Sequence, residues 1–320
     1  LGLRAEREGH KLSAASHHLR ACSYYQMGER FRTPKDGKAL AAFRTSLDCF
    51  NRYIRNVDRP RIERVEVPFE KGKKLPGYLV HAENNRSSKP PVVVFFDGLD
   101  ITKELQYMRG VEDIARRGMS CLAMDGPVNG ESIRFRKLYL RHDYEAAGSA
   151  ALDYLETRKD VNPRKAAVMG ISLGAFFAPR VASFEHRYKA CVSWGANWNY
   201  QETWRRRIAA GFKTELSVPG HHIKWILNAK SYDEVLAKLA GFPLDGVVQK
   251  MRCPYLIAHG ADDKQEGTPV ARKLYRAAGS KDKTLKIFTV AEGGSQHCQR
   301  DNLSIGTAYI FDWLQEKLKP

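Results

Sequence analysis

Gly-Ile-Ser-Leu-Gly occupies residues 170–174 and directly follows the apolar run Ala-Ala-Val-Met at residues 166–169. Small and apolar residues continue beyond it at residues 175–178. A strand, a G-x-S-x-G sequence and a helix in this order form a sharp turn that exposes the serine hydroxyl. The two glycines permit this turn because they carry no Cβ atom. The stretch therefore predicts that Ser172 is a nucleophile, rather than part of an ordinary glycine-serine turn.

The partners that a serine nucleophile needs follow it in the chain. An apolar run at residues 255–258 ends in His-Gly-Ala-Asp-Asp at residues 259–263, and an acid just past a strand end can orient a histidine. The spacing favours Asp263 as the acid that orients the histidine. Asp262 also competes for this role, and otherwise it is expected to cap the loop. A later loop contains His297. We expect His297 to take the proton of Ser172 while Asp263 fixes the tautomer of the imidazole.

The remaining histidines and the cysteines have ordinary structural interpretations. His259 stands at a strand end, where a structural role is expected. The six cysteines are scattered without a Cys-x-x-Cys pair, which is typical of reduced thiols in a cytoplasmic protein. Cys298 adjoins His297 and is expected to support it. No group of His, Cys, Asp and Glu has metal-like spacing, so the sequence predicts neither a metal nor another cofactor.

Composition limits the classes of function. The chain has 320 residues, 43% of them hydrophobic, which is enough for one α/β core and an accessory segment. The longest apolar runs are strand-sized, so no membrane span or membrane partner is expected. The net charge of +17 is spread along the chain without a nucleic-acid motif, so no nucleic-acid partner is expected. The basic cluster at residues 205–207 is a candidate attractor for an acidic small substrate. The chain begins at Leu1 rather than methionine, which is compatible with missing native N-terminal residues.

Residues 1–60 are predicted to form a separate helical unit. Two stretches with helical spacing of apolar residues, 14–32 and 38–57, are separated by a break at residues 33–37. One such helical pair cannot bury its own apolar face. We therefore expect this N-terminal unit to pack on the remaining chain or on a second subunit, as a lid or dimerisation segment.

Residues 61–320 are predicted to form the α/β domain. Strand-like segments begin at residues 64–69 and alternate with helical ones such as 107–117, which predicts a mostly parallel sheet with helices on both faces. An insertion at about residues 197–252 is helical in pattern and rich in aromatic residues, as expected of a lid. The candidates for substrate contact within the insertion are Trp198, Trp204 and Trp225. The alternative is that these aromatic side chains form the core of the insertion itself.

Several segments together resemble one family of α/β-hydrolases. Residues 96–104, Phe-Asp-Gly-Leu-Asp-Ile-Thr-Lys-Glu, are similar to the Gly-Gly-Leu-x-Ser-Thr-Lys-Glu segment of the 2,6-dihydroxypseudooxynicotine hydrolases. Their relatives include fermentation/respiration switch esterases and fungal polyketide-shortening hydrolases. Residues 125–132 resemble the Asp-Gly-Pro-Gly-x-Gly-Glu loop of this family, with Val128 in place of a glycine. The resemblance implies an eight-stranded α/β-hydrolase fold and a cofactor-free homodimer.

The resemblance also assigns roles to further residues. It implies an oxyanion hole made by the backbone N–H groups of Leu173 and Leu99. A glutamate at the position of Glu104 assists proton transfer in the carbon–carbon hydrolase of this family. The alternative role for Glu104 is to complement the dipole of a helix that is capped near Thr102.

The predicted function is that of a serine hydrolase acting on a small-molecule substrate. The expected reaction cleaves an activated carbon–carbon bond of the 1,3-diketone type, or an ester, in a small aromatic or polyketide-like compound. A general carboxylesterase is the alternative. A second alternative is a non-catalytic binding protein on the same fold, but the presence of Ser172, Asp263 and His297 argues against it.

Overall fold

The computed structural model of the protein describes residues 1–85, 87–213 and 219–319. The chain divides into two compact units, Leu1–Glu63 and Arg64–Pro320. A helix that is both long and apolar enough to cross a membrane is absent from the described residues.

The first unit is mainly helical and ends at the start of the first strand. Asp36 caps the third of them, because its carboxylate accepts a hydrogen bond from the N–H of Ala39 at 2.9 Å. The buried face of this helix carries Phe43, Leu47 and Phe50, which have the helical spacing noted in the sequence. The described helices of this unit are α1 (Gly2–Arg7), α2 (Lys11–Arg30) and α3 (Gly37–Asn56), of which α2 and α3 pack against each other.

An eight-stranded sheet forms the centre of the second unit. Its strands are β1 (Ile62–Pro68), β2 (Lys74–Val80), β3 (Pro91–Phe96), β4 (Ser120–Met124), β5 (Asn162–Ile171), β6 (Ala190–Trp194), β7 (Tyr255–Gly260) and β8 (Lys283–Phe288). They lie in the order β1-β2-β4-β3-β5-β6-β7-β8. β2 runs antiparallel to β4, and the pairs from β4 through β3 to β8 are parallel. The sheet is therefore mostly parallel, as the sequence predicts.

Helices connect the strands. The prediction of one helix over residues 107–117 is wrong. Gly110 adopts a left-handed conformation (φ 98°), and the chain forms two short helices there, Lys103–Tyr107 and Val111–Arg116. The helices of this unit are α4 (Lys103–Tyr107), α5 (Val111–Arg116), α6 (Gly130–Arg136), α7 (Glu145–Glu156), α8 (Gly174–Phe184), α9 (Tyr200–Ala209), α10 (His222–Ile226), α11 (Tyr232–Leu239), α12 (Thr268–Ala277) and α13 (Leu303–Leu318).

The direction of the strands positions the candidate site. Every residue of β3, β4, β6 and β7 is buried, as expected for a parallel sheet covered on both faces. Parallel strands end at the same edge of the sheet, and polar residues in the following loops meet there. Ser172 follows β5, Asp263 follows β7, and the loop that contains His297 follows β8.

Candidate active site

Ser172 lies on a sharp turn between β5 and α8, with φ at 59°. A left-handed conformation is unfavourable for a residue with a Cβ atom and is held in place by its surroundings. Here the Ser172 N–H donates to the carbonyl of Trp194 at 2.9 Å. The Ser172 carbonyl accepts from the N–H of Ala175 at 2.9 Å and from the Asn197 side-chain amide at 3.0 Å. These bonds fix the backbone that presents the hydroxyl.

The glycines of the G-x-S-x-G stretch are required by close backbone contacts. A Cβ atom on Gly170 would lie 1.9 Å from the carbonyl oxygen of Gly174, and one on Gly174 would lie 2.6 Å from that of Phe96. Gly98, in the loop after β3, is also close to the serine turn, since a Cβ atom added to it would lie 2.9 Å from the Cβ of Ser172. The loop after β3 and the serine turn are therefore in direct contact.

A continuous chain of hydrogen bonds joins the three predicted residues. The Oγ of Ser172 lies 2.9 Å from the Nε2 of His297, and the Nδ1 of His297 lies 2.7 Å from the Oδ2 of Asp263. The other carboxylate oxygen of Asp263 accepts from the N–H groups of Gln265 and Glu266 at 2.8 and 3.2 Å. Both oxygens of the buried carboxylate therefore have donors, and its orientation toward His297 is fixed.

The same contacts change the proton affinities of the pair. Burial alone lowers the pKa of His297, but the neighbouring Cys298 and the Asp263 carboxylate outweigh it and raise that pKa above its ordinary value. Burial opposes ionisation of Asp263, yet its bonds to His297 and to Gln265 hold its pKa below the usual range. Asp263 therefore stays ionised and makes His297 a stronger base.

The structure separates the residues that compete for these roles. Asp262 is exposed, and it accepts a hydrogen bond from the Ser295 hydroxyl at 3.1 Å. His259 is fully buried, with its Nδ1 3.9 Å from the Oδ2 of Asp263, and burial lowers its pKa. Cys298 lies beside the base, with its Sγ 3.5 Å from the Nε2 of His297.

A small cavity opens at the hydroxyl of Ser172. It contains about 20 Å³ of open space, enough for about one water molecule. Leu99 and Leu173 both line it, so the two residues predicted to form the oxyanion hole lie next to the nucleophile. Its walls are formed by Leu99, Ser172, Leu173, Asn197, Tyr200, Trp204, Arg207, Gln265, Glu266 and His297.

Of the three tryptophans proposed for substrate contact, Trp204 lies in the wall of this cavity. Trp198 lines a neighbouring surface depression, where the Nζ of Lys273 lies 4.6 Å from the centre of its ring. Trp225 packs beneath the guanidinium of Arg134, at 5.3 Å. Neither Trp198 nor Trp225 is among the described residues that line the cavity at Ser172.

Glu104 lies in a buried ion cluster. Its Oε1 is 2.8 Å from the Nζ of Lys103 and accepts a hydrogen bond from the Tyr78 hydroxyl at 2.9 Å. Lys103 also binds Asp125 and Glu131, at 3.0 and 2.7 Å. Glu104 is fully buried and is not among the described residues that line the cavity at Ser172. These contacts favour a structural role, and the proton-transfer role implied by the resemblance stays a prediction.

Several residues of the cavity are not among the site residues predicted from the sequence. Gln265 and Glu266 follow Asp263 in the same loop, and this proximity was an available signal. Asn197 lies between β6 and α9, and Tyr200 is the first residue of α9, within the predicted aromatic-rich insertion. Arg207 belonged to the basic cluster, but the sequence could not show which of its three arginines turns inward.

Comparisons with protein families agree with this architecture. Residues 3–201 match the family described as esterase FrsA-like. Residues 148–320 match the prolyl oligopeptidase family.

Fungal relatives extend over most of the chain. Hydrolase LUC6 of a Fusarium species is 31% identical over 95% of this chain and 81% of its own length. The 20-hydroxy-prefusarin hydrolase FUS2 of Gibberella moniliformis is 28% identical over 96% of this chain and 81% of its own length.

A solved structure supports the fold. The 2,6-dihydroxy-pseudo-oxynicotine hydrolase superposes with a TM-score of 0.82 and 23% identity, covering 99% of this chain and 84% of that one. An eight-stranded, mostly parallel sheet with the serine turn after β5 is common to the α/β-hydrolase fold. The chain is therefore an α/β-hydrolase and belongs to the FrsA-like esterase family.

Proposed function

We propose that this hydrolase uses Ser172, His297 and Asp263 as a catalytic triad. The observation that carries the proposal is the unbroken hydrogen-bond chain from Asp263 to the Ser172 hydroxyl, which ends at the cavity. Ser172 attacks a carbonyl carbon of the substrate while the Nε2 of His297 takes its proton. The carbonyl electron pair moves to the oxygen, and the bond to the leaving group then breaks as His297 returns the proton to that group.

The second half of the reaction releases the acyl group. Water enters, His297 removes one of its protons, and the water oxygen attacks the acyl carbon of the Ser172 ester. The bond from the acyl carbon to the Ser172 Oγ then breaks, His297 returns the proton to Oγ, and the carboxylic acid leaves. The N–H groups of Leu173 and Leu99 stabilise the developing oxyanion in both halves. Removal of one such donor in other hydrolases raises the barrier by about 2.7–4 kcal/mol.

Substrate entry requires movement in the proposed mechanism. The cavity holds about one water molecule, so any ester or ketone must displace part of its wall. Asn197, Tyr200, Trp204 and Arg207 come from the segment between β6 and β7. We assign a lid function to residues 197–252, and we expect α9 to shift when a substrate binds.

The proposed substrate is a small aromatic or polyketide-like ketone or ester with an activated scissile bond. For a carbon–carbon bond, the leaving carbanion must be stabilised by a second carbonyl, as in a 1,3-diketone. The relative FUS2 is named as a hydrolase of 20-hydroxy-prefusarin, which supports a small-molecule substrate for this chain. The description of the family as esterases favours the second candidate, a general carboxylesterase.

Covalent labelling tests the triad. A fluorophosphonate is expected to modify the wild type on Ser172, as mapped by peptide mass spectrometry, and to leave Ser172→Ala unmodified. Ser295→Ala is the control, because Ser295 lies in the histidine loop but bonds to Asp262. A correctly folded wild type that stays unlabelled contradicts the proposal.

A substrate panel separates the two chemistries. Wild type and Glu104→Gln are assayed on short 4-nitrophenyl esters and on aromatic 1,3-diketones. Cleavage of diketones by the wild type favours carbon–carbon hydrolysis, and turnover of esters alone favours the carboxylesterase. If Glu104 is structural, Glu104→Gln lowers thermal stability and leaves the ratio of the two activities unchanged.

The homodimer also remains a proposal, based on the resemblance. Light scattering coupled to size-exclusion chromatography measures the mass directly, and a mass of one 36.3 kDa chain contradicts it.

A further inference from the structure

The basic cluster at residues 205–207 divides between the surface and the interior. Arg205 and Arg206 are exposed, whereas Arg207 is only 8% exposed and lies in the wall of the cavity that contains Ser172. All three belong to α9. The cluster therefore contributes one buried cation to the candidate active site.

The side chains in direct contact with Arg207 are neutral, namely Trp204, Gln265 and Tyr200, and its charge also acts on the carboxylate of Glu266. The guanidinium of Arg207 lies 5.2 Å from the centre of the Trp204 ring, and its Nη2 lies 3.5 Å from the Oε1 of Gln265. The second distance is at the upper limit for a hydrogen bond. Within the described part of the chain, no carboxylate lies within salt-bridge distance of Arg207. A buried cation is stable only when an anion or strong acceptors compensate for its lost hydration.

The nearest carboxylate of the cavity already has other partners. Glu266 accepts a hydrogen bond from the Thr203 hydroxyl on one oxygen and from the Nη2 of Arg206 on the other, the latter at 3.2 Å. Arg206 thus bonds to Glu266 from outside the cavity, while burial raises the pKa of that carboxyl group against the opposing effect of Arg206 and Arg207. Asp263 is likewise held by His297 and by backbone N–H groups. Among the described residues, Arg207 therefore lies in the cavity wall without a directly bonded carboxylate, although its charge also acts on Glu266.

We propose that Arg207 binds an anionic oxygen of the substrate, a carboxylate or the enolate of a 1,3-dicarbonyl compound. The planar guanidinium fork suits either group, because both present acceptor oxygens to its N–H donors. The overall charge of +17 favours the approach of such a substrate. This inference rests on the proposed serine hydrolysis, since it assigns the class of substrate for that reaction.

The first test compares two esters that differ in charge. Mono-4-nitrophenyl glutarate carries a carboxylate, and 4-nitrophenyl butyrate does not. The preference is the ratio of kcat/KM for the glutarate to kcat/KM for the butyrate. A charged hydrogen bond of the usual strength predicts that Arg207→Gln lowers this ratio about 10- to 100-fold. Arg205→Gln, on the exposed side of the same helix, is the matched control and is expected to leave the ratio within about twofold.

The second test measures binding without turnover. Ser172→Ala is titrated calorimetrically with the glutarate ester and with an aromatic 1,3-diketone, above and below the pKa of its enol. Addition of Arg207→Gln is expected to weaken binding of the anionic ligands about 10- to 100-fold. An effect confined to the ester identifies the carboxylate as the ligand, and one that appears only above the enol pKa identifies the enolate.

The outcomes distinguish this inference from the proposed function. Equal losses on both esters, or unchanged binding of both anionic ligands, would overturn the anion-binding role and leave Arg207 as a packing partner of Trp204. Fluorophosphonate labelling of the wild type reports on the triad separately. If Ser172 is not labelled, the proposed hydrolysis fails first, whatever Arg207 binds.

Discussion

Replacing Asp263 with asparagine tests the geometry of the candidate triad most directly. Asp263 Oδ1 accepts hydrogen bonds from two backbone N–H groups, and Oδ2 faces the Nδ1 of His297. The side-chain amide of asparagine keeps its oxygen toward the backbone donors, so its NH2 group must face Nδ1. An amide donor there forces Nδ1 to act as an acceptor and places the imidazole proton on Nε2. Nε2 then faces Ser172 with a proton and cannot accept another.

The expected loss follows from this change of tautomer. The equivalent substitution in other serine hydrolases lowers kcat about 10⁴-fold, which corresponds to about 5.5 kcal/mol of barrier. Thermal stability should change much less, because the asparagine oxygen preserves the bonds to Gln265 and Glu266. The assay is kcat/KM on a 4-nitrophenyl ester, with a thermal unfolding curve of each variant to confirm that it is folded.

Asp262→Asn is the matched control. Asp262 is exposed and bonds to Ser295, so its substitution is expected to change kcat/KM by less than about threefold. A loss of less than tenfold in Asp263→Asn would refute the tautomer argument. An equal or larger loss in Asp262→Asn would show that the wrong neighbour had been assigned. Ser172→Ala combined with Asp263→Asn should be no slower than Ser172→Ala alone, because the triad acts as a unit.

Three further predictions follow from the same structure. The pKa of His297 is raised, and only the neutral imidazole can accept the Ser172 proton, so kcat/KM should rise with pH through a midpoint above 6.5. A midpoint below pH 6 would contradict this assignment. Lys103→Met leaves the buried carboxylates of its cluster without their shared cation, so urea unfolding should show a loss of about 3–5 kcal/mol in the free energy of unfolding. Lys159 is exposed, and Lys159→Met should change that free energy by less than about 0.5 kcal/mol. Gly170→Ala places a methyl group 1.9 Å from a backbone carbonyl oxygen and should abolish fluorophosphonate labelling or soluble expression. Labelling of this variant at the wild-type rate would contradict the assigned serine turn.

The serine turn and its partners were accessible from the sequence because each depends on local backbone chemistry. Gly170 is required by a contact within its own turn, so the constraint is visible in five consecutive residues. Asp263 and His297 each follow a strand, and parallel strands bring their carboxyl ends to one edge. The spacing that favoured Asp263 over Asp262 reflects a real difference, since only the former is buried and turned toward His297.

The side chains around the triad were harder to assign because their surroundings come from distant parts of the chain. Hydrophobic periodicity indicates which side chains are buried but not which cavity they reach, so Trp198, Trp204 and Trp225 were equivalent in sequence. Glu104 occupies the first turn of α4, as its alternative role requires, yet it contacts the adjacent Lys103. Lys103 is held in turn by Asp125, which follows β4, and by Glu131 in α6.

The location of Arg207 could not be predicted from the number of charged residues in its segment. The sequence gives three consecutive arginines, and a helix necessarily points neighbouring side chains in directions about 100° apart. A solvated cluster and a cluster with one member in the cavity therefore have the same sequence. They differ in the partner of Glu266: because Arg206 makes the direct ion pair with that carboxylate, the N–H donors of Arg207 can bind a ligand. Arg206→Gln should therefore free Glu266 to compete for Arg207, and the calorimetric titration of Ser172→Ala should then show weaker binding of the anionic ligand.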